Sequence, residues 1–267
     1  MPNTFIGHRD RWMALSDVDY LGQFVKSWMA FNAWYRSAYT ERQDRKIITE
    51  FKWQPNVVRS KLMPLLTRTD TGEADEFRAD IGLLHHRLEN YEIHAGRDEE
   101  KERISLTDVF LKDHPPFTET GTHWNYTFTV QRPVSGKVET VVKNKAGVDM
   151  LNFAQNRYKV EELDEHAQFA ALPDSVRPRV RNLYQKAKPR EVVNLLELDR
   201  REDGESPVKC GLLTFNCGKK ALYAGVAEVI YLMRCTLFHG ELEPTREASE
   251  CYEPAYRIVR RYLAAIA

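Results

Sequence analysis

The segment YLMRCTLFHGE, Tyr231 to Glu241, places an arginine and a histidine five residues apart at the end of an apolar run. Arg234 carries a permanent charge and a planar fork of donors that suits phosphate oxygens. His239 precedes Gly240, a residue typical of a helix end, and the unpaired carbonyls at a helix C-terminus favour a protonated imidazole. An imidazole can donate or accept a proton near neutral pH. These two residue types indicate chemistry on a phosphate ester.

A phosphate flanked by these two groups is suited to metal-free phosphodiester cleavage. In that reaction a ribose 2′-OH attacks its own phosphorus, and the leaving 5′-oxygen takes a proton. The substrate would be RNA, because DNA lacks the 2′-OH. Five residues along an α-helix separate two side chains by about 140°, so Arg234 and His239 do not lie side by side on a straight helix. The alternative role is structural, in which both side chains bind carbonyls at the helix end.

Hydrophobic periodicity predicts that most of the chain is helical. The predicted helices span about 16–40, 43–53, 56–66, 73–92, 148–170, 174–187, 189–198, 219–239 and 254–266, the last one started by Pro254. Two alternating runs joined by RPVSG predict a β-hairpin over about 124–144. The sequence therefore predicts one mainly α domain over 1–267, a helical bundle with an insertion at about 95–145 that contains the hairpin.

The first predicted helix, capped by Ser16 or Asp17, supplies further candidate residues. Its aromatic stripe is a core element, whereas a flanking row mixes apolar with polar side chains and includes Asn32 and Arg36. We expect this row to face the helix that carries Arg234. Asn32 and Arg36 would then position Arg234 or the phosphate, and interhelical hydrogen bonds are their alternative role.

The segment YLMRCTLFHGE, at the end of an apolar helix and followed by one last helix, resembles the R-x4-6-H motif of HEPN domains. This helical family includes many prokaryotic ribonuclease toxins and antiphage effectors. WMAFNAWYR, Trp28 to Arg36, is similar to the first long helix of a bacterial branch of the family. The resemblance covers these two segments and little of the middle of the chain. It implies a two-fold dimer whose motif helices line one cleft, with Arg234 and His239 as the functional pair.

Two positions depart from the family's pattern. Family members often carry Asn, Asp or His directly after the arginine, where this chain has Cys235. Some relatives carry a tyrosine two residues after the histidine, which a partner nucleotidyltransferase modifies. Here that position is Glu241, so this regulation is not carried over. Glu241 remains a candidate for supporting the site or positioning RNA.

The sequence predicts neither a metal nor a cofactor. His85 and His86, with Glu89 and His94 nearby, lack a metal-binding spacing such as H-E-x-x-H, and we interpret them as helix-surface histidines. The chain has no P-loop, no G-x-G-x-x-G and no G-x-S-x-G. Its four cysteines form no C-x-x-C pair and are interpreted as reduced thiols: Cys210, Cys217, Cys235 and Cys251.

Charge and hydropathy limit the partners of the chain. Lys+Arg and Asp+Glu balance at 39 each, so there is no global field to attract nucleic acid or an anionic membrane. The basic run RPRVRNLYQKAKPR is a candidate patch for a nucleic-acid backbone, with an ordinary solvated surface as the alternative. The N-terminal residues lack the apolar core of a signal peptide, and no uninterrupted apolar stretch approaches the roughly 20 residues of a membrane span. We expect a cytoplasmic protein.

Together with the resemblance, these features predict a metal-independent endoribonuclease of the HEPN type that cleaves tRNA or mRNA as a homodimer. A toxin or phage-defence effector, restrained by a neutralising or triggering protein, is the role implied by analogy. The alternative is a non-catalytic HEPN-like module that dimerises and binds RNA, a nucleotide or a protein, which Cys235 and the neutral charge favour. In a third hypothesis, segment 95–145 senses a phage or host component.

Overall fold

The computed structural model describes residues 8–9, 18–96, 102–156, 158–197 and 205–267. The chain is about 50% helical and 19% strand, with several antiparallel sheets. The predicted mainly α class is therefore wrong, and the fold is mixed α and β. Two compact units are present: a helical unit, Met1–Val109 with Val193–Ala267, and a sheet unit, Phe110–Val192. The sheet unit overlaps the predicted insertion at about 95–145 and continues well beyond it.

The helices and strands are named here in chain order. They are α1 (Tyr20–Ala38), α2 (Asp44–Trp53), α3 (Val57–Leu62) with a 3-10 turn (Met63–Leu66), α4 (Gly72–Asn90), β1 (His94–Ala95), β2 (Glu102–Arg103), β3 (Val109–Asp113), β4 (Phe117–His123), β5 (Tyr126–Arg132), β6 (Val138–Asn144), β7 (Asp149–Gln155), α5 (Val160–Asp164), α6 (Ala167–Ala170), α7 (Arg177–Lys186), β8 (Arg190–Val193), β9 (Val208–Cys210), β10 (Leu213–Phe215), α8 (Lys219–Phe238) and α9 (Arg246–Ile266).

The helical unit is organised around the aromatic stripe of α1, as predicted. Asp19 caps α1 by accepting a hydrogen bond from the Gly22 N–H at 2.8 Å, whereas the predicted caps Ser16 and Asp17 lie outside the described residues. The Phe31 ring lies 5.3 Å from the Tyr262 ring of α9. In the core, α1 and α4 pack against α9, and α2 packs against α8. The unit also contains two short antiparallel pairs, β1 with β2 and β9 with β10.

The last helix is longer than predicted. It begins at Arg246, with the Thr245 hydroxyl accepting a hydrogen bond from the Ala248 N–H at 3.1 Å. Pro254 therefore lies inside the helix rather than at its start. A proline in a helix removes one backbone hydrogen bond. Here the buried face of α9 against α1 and α4 compensates for that loss, because α9 is strongly amphipathic.

The sheet unit is built on a four-stranded antiparallel sheet in the order β4-β5-β6-β7. The hairpin predicted over about 124–144 corresponds to β5 and β6, which pair from Tyr126 with Asn144 to Gln131 with Glu139. One sheet face and the helices α5 to α7 share a core that includes Phe128, Val142, Leu151 and Tyr184. At the ends of the unit, β3 pairs with β8.

Two predicted helices in this region are wrong. The segment predicted as a helix over about 148–170 begins as β7, and that predicted over about 189–198 contains β8. In β7, Leu151, Phe153 and Gln155 are buried in alternation with exposed residues. This alternation matches a strand that pairs with β6 across a turn at Gly147 (φ +78°), so long-range pairing outweighs the local helical pattern.

Candidate active site

The end of α8 has the geometry expected of a glycine-terminated helix. Gly240 has φ +68°, in the left-handed region. Its N–H donates to the Leu237 carbonyl at 3.3 Å, and the Glu241 N–H donates to the Thr236 carbonyl at 2.9 Å. This pair of hydrogen bonds defines a Schellman motif, which confirms the predicted C′ glycine. His239 is the C-cap residue and is exposed.

Asp44 brings two of the predicted residues together. Its Oδ2 lies 3.3 Å from Nη2 of Arg234, and its Oδ1 forms an ion pair with Nη2 of Arg36. The Arg234 and Asp44 side chains are only 15% and 18% exposed, whereas the Arg36 side chain is 43% exposed. Three helices, α1, α2 and α8, therefore converge on one carboxylate. We call Arg36, Asp44 and Arg234 the arginine–aspartate cluster.

The Arg234 guanidinium is also held from its other side. Its central carbon lies 4.7 Å from the centroid of the Phe238 ring, one turn along α8, in a cation–π contact. Its Nη1 lies 3.9 Å from the Cys235 sulfur. Within the described part of the chain, Nε of Arg234 is buried and donates to no protein acceptor. The guanidinium is therefore fixed in place while part of its donor capacity is unused.

Tyr35 lies beside the cluster on the buried face of α1. Burial and the negative charge of Asp44 raise the pKa of Tyr35, so its hydroxyl stays neutral at all ordinary pH values. Tyr35 belongs to the aromatic stripe that the sequence predicted to be a core element, and its burial confirms that prediction. The sequence gave no role to Asp44. The only available signal for Asp44 was its place at the start of a helix, which by itself indicates a helix N-terminus rather than a bridge between two arginines.

A second charged cluster joins α2 to α8. Glu228 is fully buried, and its Oε2 accepts a hydrogen bond from Nζ of Lys52 at 2.7 Å. Its Oε1 forms an ion pair with Arg45, whose guanidinium lies 5.5 Å from the Tyr231 ring centroid. A buried carboxylate is tolerated when it is paired and hydrogen-bonded. This cluster was not predicted, although Glu228 is the one acidic residue of the apolar segment AGVAEVIYLM, which was the available signal for a buried carboxylate.

The two other predicted site residues, Asn32 and Glu241, lie in different surroundings. Asn32 is half-buried on α1, four residues before Arg36, so the two share one helix face. Glu241 accepts a hydrogen bond from the Gly96 N–H at 3.3 Å. That contact joins the end of α8 to the segment after β1. Asn32 shares a helix face with Arg36, whereas Glu241 contacts a neighbouring loop.

The histidines and cysteines considered in the sequence analysis lie in environments that indicate structural roles. His86 is exposed on the helix surface as predicted, but the same prediction is wrong for His85, which is buried with its ring 6.0 Å from the Phe215 ring. Burial lowers the pKa of His85. Throughout the described residues, no group of three or more His, Cys, Asp or Glu side chains could hold a metal. The four cysteines are free, and burial raises the pKa of Cys210 and Cys217 to about 12.

One cleft of the helical unit is separate from the arginine–aspartate cluster. It has a volume of about 720 Å³ and is lined by residues that include Asp75, Arg78 and Lys219. Lys219 is the first residue of α8, so this cleft lies near the opposite end of that helix from Arg234. Arg78 already donates to the Leu65 carbonyl at 2.9 Å and pairs with Asp75, which leaves it little capacity for a ligand.

α8 is long and apolar enough to cross a membrane, judged by length and composition, but 67% of that stretch is buried inside the structure. Core helices of soluble proteins share these properties, so the length and composition of α8 are weak evidence for a membrane span. No protein-family model, curated protein or solved structure matches the chain. The function must therefore be inferred from the geometry of the site.

Proposed function

We propose that this protein is a metal-independent endoribonuclease of the HEPN type, in which Arg234 binds the scissile phosphate and His239 transfers protons. The observation that carries the proposal is the environment of Arg234. Its guanidinium is mostly shielded from water, fixed between Asp44 and Phe238, and located on the last turns of α8 before the exposed His239. A cation held in a partly dehydrated position stabilises charge on a phosphate more strongly than a freely solvated one.

The proposed reaction needs two proton transfers. The 2′-oxygen attacks the phosphorus while a neutral imidazole accepts its proton, and the P–O5′ bond breaks as a protonated imidazole donates to the 5′-oxygen. The products are a 2′,3′-cyclic phosphate and a free 5′-OH. One chain supplies one His239, so a two-fold homodimer would supply the base from one subunit and the acid from the other. Arg234 would neutralise the charge that develops on the non-bridging oxygens.

The surface near the arginine–aspartate cluster suits such a dimer. Met29 on α1 and Phe238 on α8 are exposed large apolar side chains on the two helices that carry the arginines. Met, Phe and Arg are enriched at the cores of protein–protein interfaces relative to the rest of a protein surface. We infer that this face joins two copies of the chain, which would bring both arginine–aspartate clusters to one cleft.

The same proposal includes a biological role. An RNase of this type in the cytoplasm would cleave the tRNA or mRNA of its own cell, so it would have to be restrained. A toxin or phage-defence effector controlled by a neutralising or triggering protein fits that requirement. This part of the proposal rests on analogy with the HEPN family.

A second candidate function is supported by Asp44. Its carboxylate occupies donors of both Arg36 and Arg234, so a phosphate would have to compete with it. That arrangement favours a non-catalytic HEPN-like module, in which the arginine–aspartate cluster holds three helices together and the same face binds a partner or a nucleotide.

The test is cleavage of end-labelled tRNA and mRNA by purified full-length protein in EDTA. Wild type is expected to produce 2′,3′-cyclic phosphate ends, and His239→Ala is expected to produce none. His86→Ala is the matched control, because His86 is also an exposed histidine on a helix of the same unit. Cleavage that requires a divalent metal, or equal cleavage by wild type and His239→Ala, would overturn the proposal. Binding without cleavage would support the second candidate.

A further inference from the structure

The turn between β4 and β5 carries an unusual residue. Trp124 and Asn125 form a two-residue loop closed by the pairing of His123 with Tyr126. Trp124 has φ +55°, and it is the one non-glycine residue of the described chain with a positive φ. That conformation favours Gly, Asn or Asp, and a bulky aromatic residue there is strained. The indole is 88% exposed, so packing within the sheet unit does not account for a tryptophan at this position.

A second ring and a cation accompany Trp124. The His123 ring lies 5.9 Å from the indole and is inclined at 61° to it. Partial desolvation, and after it the positive charge of Arg179, lower the pKa of His123. Arg179 lies in the first turn of α7, which packs along β4, and Lys186 in the last turn of α7 pairs with Glu119 near the start of β4. Arg179 therefore lies toward the His123 end of β4, and the imidazole is neutral at physiological pH. The indole and the imidazole together present aromatic surface beside a permanent positive charge.

The cations at this end of the sheet differ from those elsewhere on α7. Three basic residues of α7 each pair with a carboxylate: Arg177 with Asp174, Arg181 with Asp164, and Lys186 with Glu119. Arg179 is exposed and, among the described residues, has no carboxylate partner. Lys145 is likewise exposed and unpaired within the described segments, and it follows Asn144, which pairs with Tyr126 beside the loop. Two uncompensated positive charges thus accompany the exposed indole.

We propose that Trp124, His123, Arg179 and Lys145 form a binding site for single-stranded RNA. An unpaired base would stack on the indole, while the two cations would bind the flanking phosphates. Because every base has a π-face, the site would bind RNA of any base sequence, but it would require unstacked bases. This inference rests on the proposed function for its choice of RNA over DNA, but it concerns binding and not cleavage.

The experiment measures anisotropy of a fluorescein-labelled, single-stranded oligouridine RNA with the full chain in a His239→Ala background, which prevents cleavage. Trp124→Ala is expected to weaken binding about tenfold, the effect of losing one base–aromatic stack. Trp124→Phe is expected to retain most of the affinity, because it keeps a ring. Val134→Ala is the matched control, since Val134 is 89% exposed in the turn between β5 and β6, at the opposite end of the same sheet.

Two further arms test the chemistry of the site. Arg179→Gln is expected to weaken binding and to reduce the slope of log affinity against log salt by about one. A duplex of the same length is expected to bind more weakly than the single strand, because its bases are stacked. Equal affinity of Trp124→Ala and its parent, or equal affinity for duplex and single strand, would overturn the site. Tight binding to phosphatidylserine vesicles without binding to RNA would also overturn it, in favour of a lipid surface.

These outcomes separate the two proposals. RNA binding that depends on Trp124, combined with no cleavage by wild type, would support the RNA-binding site and refute the proposed nuclease activity. Cleavage by wild type, combined with unchanged RNA affinity of Trp124→Ala, would support the nuclease activity and refute the RNA-binding site. Circular dichroism of each variant shows whether the fold is retained. Trp124→Gly gives a second variant that lacks the ring without added strain, because glycine suits the positive φ.

Discussion

Replacing Asp44 with asparagine is expected to lower the free energy of unfolding by about 2 kcal/mol. The asparagine side chain would keep the shape of the aspartate but leave Arg234 and Arg36 without their shared carboxylate. An exposed ion pair contributes about 0–1 kcal/mol, whereas breaking a buried one costs about 3–5 kcal/mol. With Asp44 and Arg234 at 18% and 15% exposure, the pair lies between these limits. For a chain of this size the change corresponds to a melting temperature lower by about 6 °C.

Thermal unfolding followed by circular dichroism measures this difference. Asp70→Asn is the matched control in the helical unit, because Asp70 pairs with Arg68 but both side chains are largely exposed. We expect no measurable shift for this control, since exposed ion pairs are screened by water. A second measurement adds inorganic phosphate. Phosphate should stabilise Asp44→Asn more than wild type, because a ligand that binds the folded state raises its stability by mass action.

Two results would refute this reasoning. If Asp44→Asn unfolds at the temperature of wild type, the carboxylate does not join the two arginines in solution. If the variant is destabilised but phosphate has the same effect on both proteins, the arginines do not form an anion site once they are released. The second result would also weaken the role of Arg234 in binding the scissile phosphate, and it would favour the non-catalytic candidate.

Four other predictions concern α8 and the cysteines. Glu228→Gln is expected to destabilise the protein by roughly 3 kcal/mol or more in urea unfolding, because it leaves the buried Lys52 and the half-buried Arg45 without a counter-charge. A loss below that of Asp44→Asn would contradict it. Gly240→Ala is expected to cost about 1 kcal/mol in the same assay and to reduce RNA cleavage, since alanine disfavours φ +68° and the end of α8 would move His239; unchanged stability would show that the Schellman motif is not formed. Iodoacetamide at pH 8 is expected to modify Cys235 before Cys217, whose pKa burial raises to about 12, as mass spectrometry of peptides can show. The same raised pKa predicts that stability is fully present below about pH 8.5 and declines above it, where the unfolded thiol ionises and the folded one does not.

Helices with a complete apolar face were predictable from the sequence, and the strands were mostly not. The stripe of α1 and the termination of α8 at Gly240 depend on residues a few positions apart, so local spacing contains the information. By contrast, β7 is a strand because it pairs with β6 and covers the core with Leu151 and Phe153. The segment 148–170 contains β7 and two short helices, and their mixed patterns resemble one long helix when read without the pairing.

The candidate site was predictable only in part for the same reason. Arg234, Arg36 and His239 could be selected from a helix pattern and a glycine. Asp44 could not, because its role exists only where three helices meet at one carboxylate. Trp124 was likewise not selected, since an aromatic residue within a β-type run usually indicates a packed strand, and its exposure follows from the tight two-residue turn.

The buried carboxylate of Glu228 has a consequence for how α8 is docked. If α8 slid by one turn along α2, Glu228 would move about 5.4 Å from Lys52, and ionised groups would be buried without partners. An apolar helix alone could accept several such offsets at similar free energy. The ion pairs of Glu228 therefore select one position of α8 along its axis. Arg234 lies six residues further along the same helix. The ion pairs of Glu228 therefore also fix the axial position at which Arg234 contacts Asp44.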